Sequence, residues 1–241
     1  MSRVALVLLI FSSLLFSNQA CKNFTLAIDI GHTPKRWGAT SSMGVKEYAF
    51  NKRLAFELYE QAIKEGFCNT FIINPNSQEI SLTARTQVAK QKKADLFLSL
   101  HHDSAQKMYL SYRKVGGVKQ HYSYHHKGYS LFYSRKNPHS KKSLFFAKIL
   151  GEELTKHSLT PTLHHAEKIR GENRKLVYKK LGVYEFTNLV VLKKTAMPAV
   201  LLESGIIINP DEEALLNTPS YRAEIISSIL NAVKRYAKPT L

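Results

Sequence analysis

Several strand-like runs in this chain end on residues able to bind a metal or move a proton. IDIGHTP closes on Gly31, His32, Thr33 and Pro34. DLFLSLHH ends on His101 and His102, and PAVLLESG carries Glu203 near its end. A further carboxylate, Glu47, opens the run EYAFNKRLAFELYEQAIKE. Neutral imidazole and carboxylate are donors that zinc takes in a roughly tetrahedral shell at about 2.0–2.2 Å, and a catalytic zinc keeps three protein donors and one water. His32, Glu47 and His101 are the candidate ligands. Glu203 is the candidate general base, which takes the water proton and later protonates a leaving amine. Any one of these histidines alone reads equally well as a satisfied loop or core residue. Their shared position at strand ends is what argues for a site.

The elements that must position them follow from hydrophobic periodicity. TLAIDI (25–30) is a buried strand. Residues 47–65 place Phe50, Leu54, Leu58 and Ile63 at helical spacing, and Gly66 ends that helix. TFIIN (70–74) is a second strand, followed by a helix over 81–93 and a strand over 95–102. GYSLFYS (128–134) is a fourth strand, 141–156 an amphipathic helix, 198–205 a fifth strand and 219–237 a final helix. This alternation predicts an α/β fold: a mostly parallel central sheet with helices on both faces, in a single catalytic domain. In such sheets sites collect beyond the carboxyl ends of strands. A helix that follows the first strand starts at that same edge, so Glu47 can face His32.

Residues 1–20, MSRVALVLLIFSSLLFSNQA, read as a secretory signal peptide, leaving 21–241 as the catalytic domain. The apolar run is short for a bilayer span, although an uncleaved anchor has the same outline. The expected location is therefore exported, periplasmic or in the cell envelope. Two cysteines, Cys21 and Cys68, each lie just before an apolar strand. A disulfide between them and lipid anchoring at Cys21 both remain open on sequence alone. The net charge of +17 favours a polyanionic partner. With export, that partner is cell wall or anionic lipid, and no nucleic acid is expected.

The blocks IDIGHTP, GVKEYAFNKRLA, ADLFLSLHHDS and MPAVLLESGIIINPDEE, with ISLTAR (80–85) among them, carry a resemblance. In this order they resemble the zinc-dependent N-acetylmuramoyl-L-alanine amidases of the amidase 3 family, over about residues 25 to 237. The resemblance implies Zn2+ held by His32, Glu47 and His101, a metal-bound water as nucleophile, and Glu203 as general acid/base. It implies peptidoglycan or muropeptides as substrate, cut at the amide between the lactyl group of N-acetylmuramic acid and L-alanine. A monomer with a place in cell division is expected as well, and the need for an activator protein as partner stays open. Three positions depart from the family pattern. Thr33 and Pro34 stand where glycines are common, His102 where alanine is common, and Ile206 where an aromatic is common. Strand alternation turns His102 to the opposite face, making it a neighbour of the site and not a ligand.

Other readings compete. An exported, non-catalytic peptidoglycan-binding protein could keep the same fold. SAQK (Ser104 to Lys107) and KTA (Lys194 to Ala196) have the spacing of penicillin-recognising serine enzymes, which would add a serine-dependent carboxypeptidase activity. Between Asp103 and Glu152 there are ten lysines and arginines, no acidic residue, and tyrosines at 109, 112, 122, 124, 129 and 133. With His121, His125 and His126 this stretch reads as a rim over the groove or as a solvated insertion. Residues 156–180 lack a clear strand and hold His164, His165, Glu167 and Glu172. Some amidases of the family block their metal with an inserted helix carrying a glutamate. This segment is short for that and is expected to form groove wall.

Overall fold

The computed structural model describes residues 21–237. The expected signal peptide lies outside them. Strand β1 (Leu26–Ile30) is buried at every position, which is why its sequence is almost continuously apolar. Helix α1 (Glu47–Lys64) follows, then the two-residue strand β2 (Phe71–Ile72), helix α2 (Leu82–Gln91) and strand β3 (Leu96–Asp103). Ser81 caps α2, its hydroxyl accepting from the Ala84 N–H at 3.1 Å. Next come the hairpin strands β4 (Ser111–Val115) and β5 (Val118–Tyr122), strand β6 (Ser130–Tyr133) and helix α3 (Ser140–Lys156). The chain continues through β7 (Lys175–Tyr178), β8 (Val183–Glu185), the short α4 (Val190–Lys193) and β9 (Ala199–Ile206). Helices α5 (Pro210–Leu216) and α6 (Pro219–Ala237) complete the described residues.

Among those residues the central sheet has seven strands in the order β2-β1-β3-β9-β6-β8-β7. β2, β1, β3 and β9 run parallel. β6 enters antiparallel to β9, and β7 antiparallel to β8. One face packs Leu26, Ile28, Leu98 and Leu202 against α1, α3 and α6. The other packs Ala27, Phe97 and Leu201 against α2 and α4. The expected α/β fold, with a mostly parallel sheet and helices on both faces, is the observed one. Among the described residues no helix is long and apolar enough to cross a membrane.

Four local differences have physical causes. Ile63, expected in the buried stripe of α1, is exposed, and Ala62 is buried instead; the stripe turns by one position near the helix end. TFIIN shortens to two paired residues because β2 is an edge strand with one neighbour. The strand over 128–134 exists but runs against its β9 neighbour. Residues 156–180, read as lacking a clear strand, contain β7 at the far sheet edge, half-exposed and with an apolar run of only Leu176 to Tyr178.

Because β1 and β2 are parallel neighbours, the segments leading into them lie together. Cys21 and Cys68 are joined by a disulfide with Cα atoms 5.5 Å apart. Their 47-residue separation closes a long loop. Unfolding the protein without reductant should leave no free thiol by a thiol-titration assay. Cys68→Ala should lower unfolding free energy by about 2–4 kcal/mol in a urea titration. A free Cys68 thiol in the native protein would count against the pairing.

Candidate active site

The site begins where β1 stops. Gly31 continues the ladder by donating its N–H to the Leu100 carbonyl at 2.9 Å. His32 then takes φ 68°, a left-handed conformation uncommon for a residue with a side chain. Arg85 of α2 holds it there. Its guanidinium pairs with Asp29 Oδ1 at 2.7 Å and donates to the carbonyls of Ile30 and His32. Asp29 is also held by the Ser99 hydroxyl at 2.8 Å. This buried fork satisfies the backbone groups that the sharp turn removes from the sheet ladder.

Parallel register brings the other groups to the same edge. Glu47 starts α1 and is almost fully buried. Its Oε2 lies 3.1 Å from His32 Nε2 and its Oε1 lies 3.1 Å from His101 Nδ1. Donor atoms of all three residues fall within 4.8 Å of one another. The Ala39 N–H donates to Glu47 Oε2 at 2.9 Å, and Asn51 Nδ2 donates to Oε1 at 3.0 Å. Burial pushes the Glu47 carboxyl up, but the hydrogen bonds and charge of His101 and His32 hold it well below the usual carboxylate range. Glycines leave the space this needs. A Cβ on Gly31 would come within 2.5 Å of the His101 ring, and one on Gly38 within 2.1 Å of Glu47 Oε2.

Glu203 stands opposite His101 in the β3–β9 register, so both side chains leave the same sheet face. Its Oε2 is buried and lacks a hydrogen-bond partner among the described residues. Burial first, then the charges of Asp103 and Glu47, raise its pKa well above the usual carboxylate value. This carboxyl thus lies opposite His101, at the edge where two imidazoles and the Glu47 carboxylate come together. A groove of about 330 Å³ opens beside them, lined by His32, Arg36, Ile80, Leu82, His101 and Leu189 among others.

The family model for N-acetylmuramoyl-L-alanine amidase of the amidase 3 type matches residues 26–235. The chain belongs to this family. Membership of that family makes it an amidase of peptidoglycan. A putative N-acetylmuramoyl-L-alanine amidase of Buchnera aphidicola subsp. Baizongia pistaciae is 28% identical over 230 residues, covering 88% of this chain and 95% of that protein. Ami1, the N-acetylmuramyl-L-alanine amidase from Mycobacterium smegmatis, superposes with a TM-score of 0.69 at 17% identity, covering 90% of this chain and 98% of that one. The CwlD amidase from Clostridioides difficile, solved in complex with the GerS lipoprotein, gives 0.66 at 19% identity, covering 89% and 98%. At those identities the two structures speak for the fold alone.

Other residues of the amidase singled out from sequence sort by position. His102 points to the α1 face, fully buried, with Nδ1 2.7 Å from Asn51 Oδ1, and burial lowers its pKa to about 3. It packs behind the cluster, as strand alternation predicted. Ser104 has no hydrogen bond to Lys107 among the described residues, and Lys107 is exposed. Thr195 is buried with its hydroxyl donating to the Val191 carbonyl. The serine-enzyme spacings therefore assemble no site. Glu167 and Glu172 bind Tyr109, Gln106 and His165, and among the described residues form no hydrogen bond or ion pair with His32, Glu47 or His101.

Sequence reading passed over three supports. Asn51 sits one helical turn after Glu47 and also donates to the Gly31 carbonyl at 3.2 Å. Glu213 accepts from Ser42 Oγ at 2.6 Å and from the Met43 N–H at 3.0 Å, tying down the loop between His32 and Glu47. Arg85 closes the ISLTAR block. The i, i+4 spacing of Glu47 and Asn51 was a usable signal; the others act across more than fifty residues and had none. Arg85→Met should cost about 3–5 kcal/mol in urea-induced unfolding, because it leaves Asp29 buried without its partner. A loss below about 1 kcal/mol would remove this pair from the account of how His32 is held.

Proposed function

We propose that this amidase is a zinc enzyme that hydrolyses the amide between the lactyl group of N-acetylmuramic acid and L-alanine in peptidoglycan. In this reading His32, Glu47 and His101 hold Zn2+. The observation that carries it is the convergence of two imidazole nitrogens and a carboxylate oxygen within 4.8 Å, beside the unpartnered Glu203. The donor set fits the ion: two nitrogens and an oxygen are zinc's chemistry, whereas magnesium and calcium favour oxygen alone. Gly31 and Gly38 fit it too, since any side chain there would push the donors apart. Zinc bound at such a site supplies Lewis acidity toward a carbonyl and toward water.

The protein's own groups do the remainder. Glu203 takes a proton from the attacking water as its oxygen bonds to the lactyl carbonyl carbon. It returns that proton to the L-alanine nitrogen as the C–N bond breaks. The products are a lactyl carboxylate and a free peptide amine. Asn51 and the Ala39 N–H keep Glu47 from rotating away. The groove beside Ile80, Leu82 and Leu189 offers an apolar wall for the peptide.

The basic hairpin supports the rim reading. Arg113 donates to Ser42 Oγ at 3.2 Å, so β4 and β5 lean on the loop that leads into Glu47. Lys119 lies over the Tyr112 ring at 4.0 Å, and Tyr112 is exposed. Cations and tyrosines there suit anionic peptide stems and sugar faces. Export after loss of residues 1–20, a monomeric state and an activating protein partner complete the proposal.

Digestion of a defined muropeptide should release peptide beginning with L-alanine, detected by mass spectrometry, and a chelator should stop release until Zn2+ is restored. Release that continues at full rate in excess chelator would sink the metal dependence. Glu203→Gln should keep bound zinc yet lose turnover by about 10²–10⁴-fold. Glu47→Ala should lose the ion held with His32 and His101, measured by elemental analysis as one fewer zinc per chain than the wild type. Intact muropeptide binding with no cleavage by the zinc-loaded wild type would favour a non-catalytic wall binder.

A further inference from the structure

The end of β3 carries a second convergence. Asp103 Oδ2 lies 3.1 Å from His164 Nε2 and 2.8 Å from His165 Nε2. The donor atoms of the three residues all fall within 4.8 Å of one another, as in the first cluster. Both histidines are buried, at 3% and 7% exposure.

The orientation of these groups is informative. Asp103 Oδ2 and His165 Nε2 are both buried and both lack a hydrogen-bond partner among the described residues, although only 2.8 Å separates them. The distance suits a hydrogen bond and the angle does not. Meanwhile each far imidazole nitrogen is engaged. His164 Nδ1 lies 2.8 Å from Thr162 Oγ1, and His165 Nδ1 lies 2.8 Å from Glu172 Oε2. Glu172 is itself steadied by Gln106 Nε2, which donates to Oε1 at 2.5 Å. A carboxylate behind one imidazole and a hydroxyl behind the other is the outer support that metal-binding histidines receive. His126 stacks on His164 with ring centroids 4.7 Å apart; its buried Nε2 lies 3.5 Å from Glu167 Oε1 and has no hydrogen-bond partner among the described residues.

We propose that Asp103, His164 and His165 form a second metal site, separate from His32, Glu47 and His101, that takes a zinc-class divalent cation. Two imidazoles and one carboxylate select zinc-class ions over magnesium or calcium. The cation would fasten the 162–172 segment to the end of β3, next to Glu203. The competing occupant is a proton, which would make His165 a buried imidazolium between Asp103 and Glu172 and bind no metal.

Metal-stripped full-length protein dialysed against buffered Zn2+ and counted by elemental analysis distinguishes the two. The wild type should hold two zinc ions per chain. His165→Ala and the double variant His164→Ala/His165→Ala should hold one, and so should Glu47→Ala. One ion in the wild type, lost in Glu47→Ala and kept in His165→Ala, overturns the proposal and leaves the active-site reading intact. Two ions in the wild type that persist in the double variant also overturn it. If circular dichroism shows that the histidine variants fail to fold, Glu47→Ala decides: one retained ion supports the second site, and none refutes it.

Discussion

The structure turns on one buried carboxylate. Glu47 sits in the interior at the start of α1, where an unpaired charge would be severely destabilising. It is tolerable because five groups approach it: two imidazoles, the Ala39 and His102 N–H groups and the Asn51 amide. They come from the turn after β1, the loop before α1, the end of β3 and α1 itself. Satisfying one charge thus fixes the relative positions of three elements. Gly31 and Gly38 answer the same demand, since this convergence leaves no room for a Cβ. The same carboxylate that orders the site also creates its donor set.

Acidic residues in this chain are few, 18 against 35 lysines and arginines, and several are spent inside. Asp29, Glu47, Glu212 and Glu213 are buried. Each is matched to specific donors: Asp29 to Arg85, Glu212 to the Ile206 and Gly128 N–H groups, Glu213 to Ser42 and Met43. All four lie near the carboxyl edge of the sheet or hold loops that do. The exterior is consequently more basic than the net charge implies. An interior that concentrates carboxylates at the active edge, inside a cationic surface, suits an enzyme that must settle on an anionic polymer.

What could be read from sequence followed local physics. β1, β3 and β9 are buried on both faces, so each is a mostly apolar run with polar residues at or near its carboxyl end. His32, His101 and Glu203 were visible for that reason. α1 announced itself by period, and Glu47 by standing at its start. Legibility failed where tertiary context replaces local pattern. Nothing in GYSLFYS distinguishes a strand that runs with β9 from one that runs against it. The β4–β5 hairpin is largely solvated, so it lacked an apolar signature and merged into a basic stretch. His164 and His165 were noticed as neighbours of Glu167 and Glu172. Their contact with Asp103 depends on how the chain returns after α3, about sixty residues on, and no periodicity encodes that return.

The end of β3 shows how one strand can serve several demands. From His101 to Asp103 it advances two residues while β9 advances from Glu203 to Ile206, so the register breaks there. Such a break re-aims side chains that strict alternation would stack on one face. His101 turns to Glu47, His102 to Asn51 in the α1 interior, and Asp103 to His164 and His165. Had the ladder continued evenly, Asp103 would have paired with Gly205, and its carboxylate would stack above His101 on the same face. The irregularity instead separates the two carboxylates, Glu47 and Asp103, onto different imidazole pairs, with Glu203 sensing the charge of both. Burial is the first cause of the raised proton affinity of Glu203, and the charges of Asp103 and Glu47, one from each cluster, add to it.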